Sequence, residues 1–212
     1  MLEFHLFKIP IRVEAEFWIV MGLFGFMINQ NAAGNQMFLM IALFMMAGFI
    51  SILIHELGHA LMVKKYKLPT QIRLSLFHGS ASHPSGILNR KQTFLVILCG
   101  PLLQATFGAS IYFLTPHLGL EANLLSYFIE TLIGISIYWS VLNCIPVLPL
   151  DGGRMLEIAL GPKRIKLTLT ISMISAVIMC IICFSIGAFF FGVFMAMFAF
   201  QSYQALERIN KF

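Results

Sequence analysis

Charge is scarce in this sequence. Of 212 residues, 11% are Asp, Glu, Lys or Arg, 59% are hydrophobic, and the mean hydropathy is +0.88. Soluble domains carry about 25% charged residues. A chain this short has too little interior to hide so much apolar side chain. A water-soluble globular fold is therefore excluded, and lipid is the expected solvent for most of the chain. Long alternating apolar–polar segments are also missing, which leaves helices rather than a closed barrel as the spanning elements. Cysteine is sparse. Cys99, Cys144, Cys180 and Cys183 all lie in or beside apolar runs, which excludes a secreted disulfide framework. The Cys180–Cys183 pair reads as small residues of a lipid-embedded helix. There is no repeat, no low-complexity tract and no appended soluble domain. Acids are fewer than bases, nine against fourteen, and the net charge is +5. That balance follows from membrane topology, and no nucleic-acid partner is expected.

The apolar runs predict an all-α polytopic membrane protein with about six transmembrane helices: 16–29 (short), 36–63, 93–115, 122–145, and a stretch of nearly forty residues from Leu167 to Ala205. A single crossing needs about 20 residues, so that stretch splits into two helices near Ser185-Ile186-Gly187. Lys and Arg favour cytoplasmic loops. All fourteen fall on one side of this arrangement: Lys8 and Arg12; Lys64, Lys65, Lys67, Arg73, Arg90 and Lys91; Arg154, Lys163, Arg164 and Lys166; Arg208 and Lys211. The connections around Asn31, Glu121 and Gly187 have none. Both termini are therefore expected in the cytoplasm. Glu14 and Glu16 directly before the first apolar stretch argue for a retained span over a signal peptide. The whole chain, 1–212, reads as one domain, with a core at about 36–153 and a C-terminal helical pair at about 166–206.

Two segments have a period of two. Ile9, Ile11 and Val13 alternate with Pro10 and Arg12 within Phe4–Val13, and Ile72, Leu74 and Leu76 alternate with Arg73 and Ser75 within Gln71–Phe77. Each is either a strand of a small sheet on the cytoplasmic surface or an irregular interfacial loop. His78 and His83, flanking Gly79-Ser80-Ala81-Ser82, read as ordinary loop residues, and His5 and His117 as interfacial ones. The thirteen Met and twenty-one Phe read as packing and lipid-facing residues.

The second span contains His55-Glu56-Leu57-Gly58-His59. Residues four apart on a helix share a face, so the two imidazoles can grip one tetrahedral metal ion. Glu56, one step along, is placed to act on water. This is the HExxH arrangement, in which two His bind zinc and the Glu is general base. Two His and a Glu inside an apolar span are costly without such a role. A catalytic zinc takes three protein ligands. The best third candidate is Asp151, in Asn143-Cys144-Ile145-Pro146-Val147-Leu148-Pro149-Leu150-Asp151-Gly152-Gly153. By topology it follows the cytoplasmic end of span four, the same end at which His55 and His59 lie in span two. Glu130, in the outer half of span four, and Glu157, on the basic segment after Asp151, are weaker rivals. Pro146 and Pro149 end the helix and fit backbone lining a wet pocket. Two roles stand open for Asn143: donating to a substrate carbonyl or oxyanion, or bonding backbone freed by Pro146.

With these residues the chain resembles the site-2 protease family of intramembrane zinc metalloproteases. His55-Glu56-Leu57-Gly58-His59-Ala60 in one span and Asn143 to Gly153 two spans later match its paired motifs. Gly100-Pro101 in the third span and Ile9-Pro10-Ile11-Arg12-Val13 before the first also fit its pattern, the latter that of bacterial members. The resemblance runs through Gly153. It implies one Zn2+ per chain on His55, His59 and Asp151, Glu56 as the catalytic carboxylate, and Asn143 assisting substrate or transition-state binding. It implies a zinc metalloendopeptidase cutting transmembrane proteins, in a bacterial cell membrane. Gln104 stands where many relatives carry Asn, so no role passes to it from the family. With no room for a PDZ or CBS domain, regulation is expected from a membrane partner.

Two other functions compete with proteolysis. A catalytically silent zinc-binding scaffold would not need the Glu56 carboxylate. A metal transporter would carry polar groups through several spans and on both sides of the bilayer.

Overall fold

The computed structural model describes residues 1–32, 34–75, 79–82, 86–119, 121 and 123–211. The chain divides into two compact units, Met1–Leu88 with Cys99–Ser140, and Asn89–Leu98 with Val141–Phe212.

The first unit opens with a hairpin of β1 (Leu2–Leu6) and β2 (Ile9–Val13). The two turn residues, Phe7 and Lys8, sit at φ +51° and +60°, the left-handed geometry of a two-residue hairpin turn. The Lys64 ammonium donates to the Phe7 carbonyl and ties this turn to the neighbouring helix. β3 (Gln71–Leu74) and β4 (Gly79–Ser82) complete a sheet of order β1-β2-β3-β4, parallel between β2 and β3 and antiparallel elsewhere. Ile11 pairs with Ile72 and Val13 with Leu74, so the apolar positions of the two central strands fall on one face. With Ile9 they are all at most 2% exposed. The other face carries the exposed pairs Arg12–Glu3 and Arg73–Glu14, which contribute little.

Phe4–Val13 is thus a hairpin rather than one strand, because the period-two run is interrupted at Phe7-Lys8. Gly79–Ser82 is a strand where a loop was expected, since the sequence has no large apolar side chain there to mark it. Leu76, Phe77, His78 and His83 lie outside the described residues.

The apolar face of the sheet packs on α1 (Ala15–Asn29) and α2 (Gly34–Lys65) through Phe17, Val20, Met21, Leu53, Leu57 and Ala60. With 15 residues, α1 is about 22 Å long, less than a bilayer core. It closes on Asn29, which is buried and satisfied: its amide donates to the Gly25 carbonyl, and its oxygen accepts from the Tyr127 hydroxyl. α3 (Arg90–Leu114) continues through Pro101, and α4 spans Leu124–Cys144.

The second unit contains the start of α3, the end of α4, α5 (Asp151–Leu160), α6 (Ile165–Ser185) and α7 (Phe189–Asn210). α6 and α7 pack together and break at 186–188, where Gly187 adopts φ +78°, the split expected from chain length. α5 was not foreseen, because Gly152-Gly153 after two prolines resembles a turn. Its C-terminal end is closed by the Arg90 guanidinium, which donates to the carbonyls of Ile158 and Ala159 at 3.0 Å. The described helices include five, α2, α3, α4, α6 and α7, that are long and apolar enough to cross a membrane. The expected sixth span is the shorter α1.

Candidate metal centre

His55, Glu56 and His59 are all buried on α2, at 5%, 4% and 9% exposure. The sheet covers Leu53, Leu57 and Ala60 on a different flank of the helix and so fixes its rotation. The two rings stand edge to face, 4.7 Å between centroids, with their Nε2 atoms 3.1 Å apart. Two nitrogens this close accommodate one shared proton or one cation.

The hydrogen bonds behind His55 determine which nitrogen carries its proton. Gln104, wholly buried on α3, places its Nε2 near the Ser51 hydroxyl at 2.9 Å and the Ser51 carbonyl at 3.3 Å. A carbonyl oxygen only accepts, so this end of the amide is the NH2. The other end, Oε1, then faces His55 Nδ1 at 3.0 Å and accepts its proton. His55 is therefore the Nδ1–H tautomer, with the Nε2 lone pair directed at His59. Ser136 on α4 donates to the Ser51 hydroxyl at 2.9 Å and completes the buried polar chain. A metal-ligating His commonly donates its second N–H in this way, which fixes ring and tautomer. The residues fit zinc: two Zn–N bonds of about 2.0–2.1 Å at a tetrahedral angle hold their nitrogens about 3.4 Å apart, near the 3.1 Å found.

Two glycines allow this closeness. A Cβ on Gly58 would overlap the Cys99 carbonyl oxygen and lie 2.8 Å from the Gly100 Cα. A Cβ on Gly100 would overlap the His59 ring. The fourth letter of the HExxH motif is therefore not free here: Gly58 is the point where α2 and α3 cross backbone to backbone. Sequence reasoning assigned Gln104 no role and passed over Ser51 and Ser136. Their signal was the four-residue spacing that places Ser51, His55 and His59 on one stripe, and Gly100 and Gln104 on another.

The second unit holds Asp151 and Asn143. Asn143 is buried near the end of α4. Asp151 is the first residue of α5 and is 8% exposed, so it is not an ordinary turn residue. The proline-containing segment before it is held from behind. Val147, fully buried, packs against Ala176 and Ala199, and the Leu148 N–H donates to Ser172 Oγ, which pairs with Ser202 at 2.9 Å. Gly152 and Gly153 are pressed against this segment. A Cβ on Gly152 would overlap the carbonyl oxygens of Cys144 and Ile145, and one on Gly153 would lie 2.5 Å from the Leu148 nitrogen. Glu130 and Glu157, the other acids considered, are exposed on α4 and half-buried on α5.

A scan against protein-family models finds no match. The chain is 26% identical, over 161 residues, to a protein named zinc metalloprotease MJ0392 of Methanocaldococcus jannaschii, covering 76% of this chain and 45% of that protein. A second relative, sll0528 of a Synechocystis strain, is 28% identical over 160 residues, 72% of this chain and 42% of that protein. The chain thus spans less than half the length of the curated relatives it matches. The solved site-2 protease from Methanocaldococcus jannaschii superposes with a TM-score of 0.64 at 24% identity, over 97% of this chain and 94% of that one. With its five spanning helices the chain is an integral membrane protein. In fold it is similar to that solved site-2 protease, and it carries both an HExxH and an Asp-Gly-Gly motif.

Proposed function

We propose that this protein is an intramembrane zinc metalloprotease that hydrolyses peptide bonds in or near transmembrane segments of membrane-protein substrates. The observation that carries the reading is the buried pair of His Nε2 atoms, 3.1 Å apart on α2, with Glu56 beside them. Asp151 supplies the third ligand to one zinc. Its support is the motif context, its burial, and its place at the same end of the spans as the His pair in the charge-derived topology. All fourteen Lys and Arg lie outside the spanning helices or near their ends. The positive-inside rule then supports a site toward the cytoplasm with both termini cytoplasmic. The partners are a transmembrane substrate, the lipid bilayer of a bacterial cell membrane and a regulatory membrane protein.

When bound, zinc would supply a Lewis acid that polarises the scissile carbonyl and makes water more acidic. The rest falls to the chain. The Glu56 carboxylate accepts a proton from the attacking water and returns it to the leaving amine. The Asn143 amide donates toward the oxygen on which negative charge develops. Gln104 holds the His55 ring.

Substituting Glu56→Gln is expected to lower cleavage by at least about a hundredfold with zinc retained. New amino termini in host-cell membrane proteins, compared between wild type and variant, are the readout. Termini found only with wild type and mapping to the cytoplasmic half of spans support the protease. Identical fragment sets from equally abundant, zinc-loaded proteins point to the scaffold.

A substrate helix must unwind before its carbonyls are accessible, and an open strand edge is suited to hold it. Of the two period-two segments, Gln71–Leu74 forms β3 between β2 and β4 and is already paired on both sides. β1 and β4 are the edges, and β4 packs along α2, the ligand helix. We place the substrate on β4. Successive residues of an edge strand point their N–H groups to opposite sides, so either Ser80→Pro or Ala81→Pro removes an outward donor. One of the two is expected to lower cleavage about tenfold, near the worth of one hydrogen bond, with zinc unchanged. Wild-type cleavage in both removes the strand-addition idea.

A further inference from the structure

Away from their end turns, the five spanning helices carry two carboxyl groups. Glu56 is buried in the metal centre, while Glu130 is exposed on α4. It stands six residues into a 21-residue helix, about 9 Å from its start and inside the expected hydrocarbon depth. It makes no hydrogen bond or ion pair among the described residues. The polar groups one turn before it on its own helix are engaged, since Ser126 Oγ donates to the Asn123 carbonyl and Tyr127 Oη to Asn29. A carboxyl group facing lipid is costly, and such groups usually face a partner.

The surface around it has room for one. Glu130, Gly134 and Tyr138 follow each other at four-residue intervals and share a face. Tyr138 is 78% exposed. A Cβ built on Gly134 meets only the edge of the Tyr138 ring, at 4.0 Å. Unlike Gly58 and Gly100, Gly134 leaves its space unused among the described residues. A small residue beside a polar one is what close packing of two transmembrane helices requires.

We propose that this face of α4 docks a transmembrane helix of another protein, one that carries a Lys or Arg at the depth of Glu130. The carboxylate selects the cation, and the notch at Gly134 lets the two backbones approach. The proposal does not depend on proteolysis, and the occupant is not a second copy of this chain, which would bring carboxyl against carboxyl.

The test uses the full-length protein in phosphatidylcholine vesicles, donor-labelled, with two acceptor-labelled leucine-rich transmembrane peptides. One peptide has a single Lys at the depth of Glu130, and the other has Leu there. Wild type is expected to bind the Lys peptide about tenfold more tightly than the Leu peptide, the scale of one intramembrane polar contact. Glu130→Gln should abolish that preference, and Glu130→Lys should transfer it to an Asp-bearing peptide. Gly134→Leu should weaken binding of the Lys peptide, and unchanged zinc content verifies that each variant is folded. Equal binding of the two peptides by wild type overturns the proposal, as does a preference that survives Glu130→Gln. Energy transfer between two labelled copies of the wild type that disappears in Glu130→Gln also overturns it, by making this face a self-association surface.

Discussion

Replacing Gly58 with Ala is expected to strip the protein of bound zinc and to lower its stability by about 3 kcal/mol. The added carbon would overlap the Cys99 carbonyl oxygen and sit 2.8 Å from the Gly100 Cα. Both neighbours are backbone and cannot rotate away, so α2 and α3 must separate. That separation reaches both imidazoles of the candidate site. The His59 ring lies against Gly100, and Gln104, one turn along α3, holds His55. Gly22→Ala is the control, because its added carbon would meet only the flexible end of Met45, at 3.7 Å. Zinc content of the purified proteins and their thermal unfolding in detergent are the measurements. A Gly58→Ala protein with wild-type zinc and an unchanged midpoint would show that the crossing of α2 and α3 yields without harm.

Gln104→Leu is expected to weaken zinc binding between about 10- and 100-fold, the range for loss of a hydrogen bond behind a ligand. Leucine has similar bulk and leaves packing nearly intact, but it cannot accept from His55 Nδ1–H or donate to Ser51. Without that acceptor the ring can turn over or change tautomer, and its Nε2 lone pair is no longer fixed toward His59. Gln104→Glu keeps the acceptor and loses the donor to Ser51, so its zinc affinity should fall between wild type and Leu. Chelator competition gives the affinities, and the nitrogen chemical shifts of His55 report the tautomer. A residue that only fills space predicts wild-type affinity and shifts for Leu. That result would end the positioning role.

Much of this arrangement was legible in the residues alone. A lipid-soluble, helical chain follows from the shortage of charge, and the spans follow from run length and the placement of basic residues. The closeness of the His55 and His59 rings follows from their helical spacing, and the alternation of Ile9, Ile11 and Val13 marks β2. What stayed hidden has physical reasons. β4 contains no large side chain, so it has no hydropathy pattern, and it forms because β3 offers a backbone ladder. α5 has two glycines directly after its first residue, poor helix formers that packing against the preceding segment requires. Gln104 has meaning only across helices, where His55 and Ser51 meet it and Ser136 joins through Ser51. The site uses both its reach and its amide, which accepts at one end and donates at the other.

The pair Ser172–Ser202 gives the C-terminal third of the chain a further meaning. One hydroxyl on α6, steadied by one on α7, accepts the backbone N–H of Leu148 three residues before Asp151. The last two helices therefore act as a splint for a segment that two prolines have deprived of its own ladder. The recognisable motifs stop at Gly153, yet the chain beyond them is not a spare membrane anchor. Exchange for an arbitrary hydrophobic hairpin would keep the protein in the bilayer and still release the strap that carries the acid.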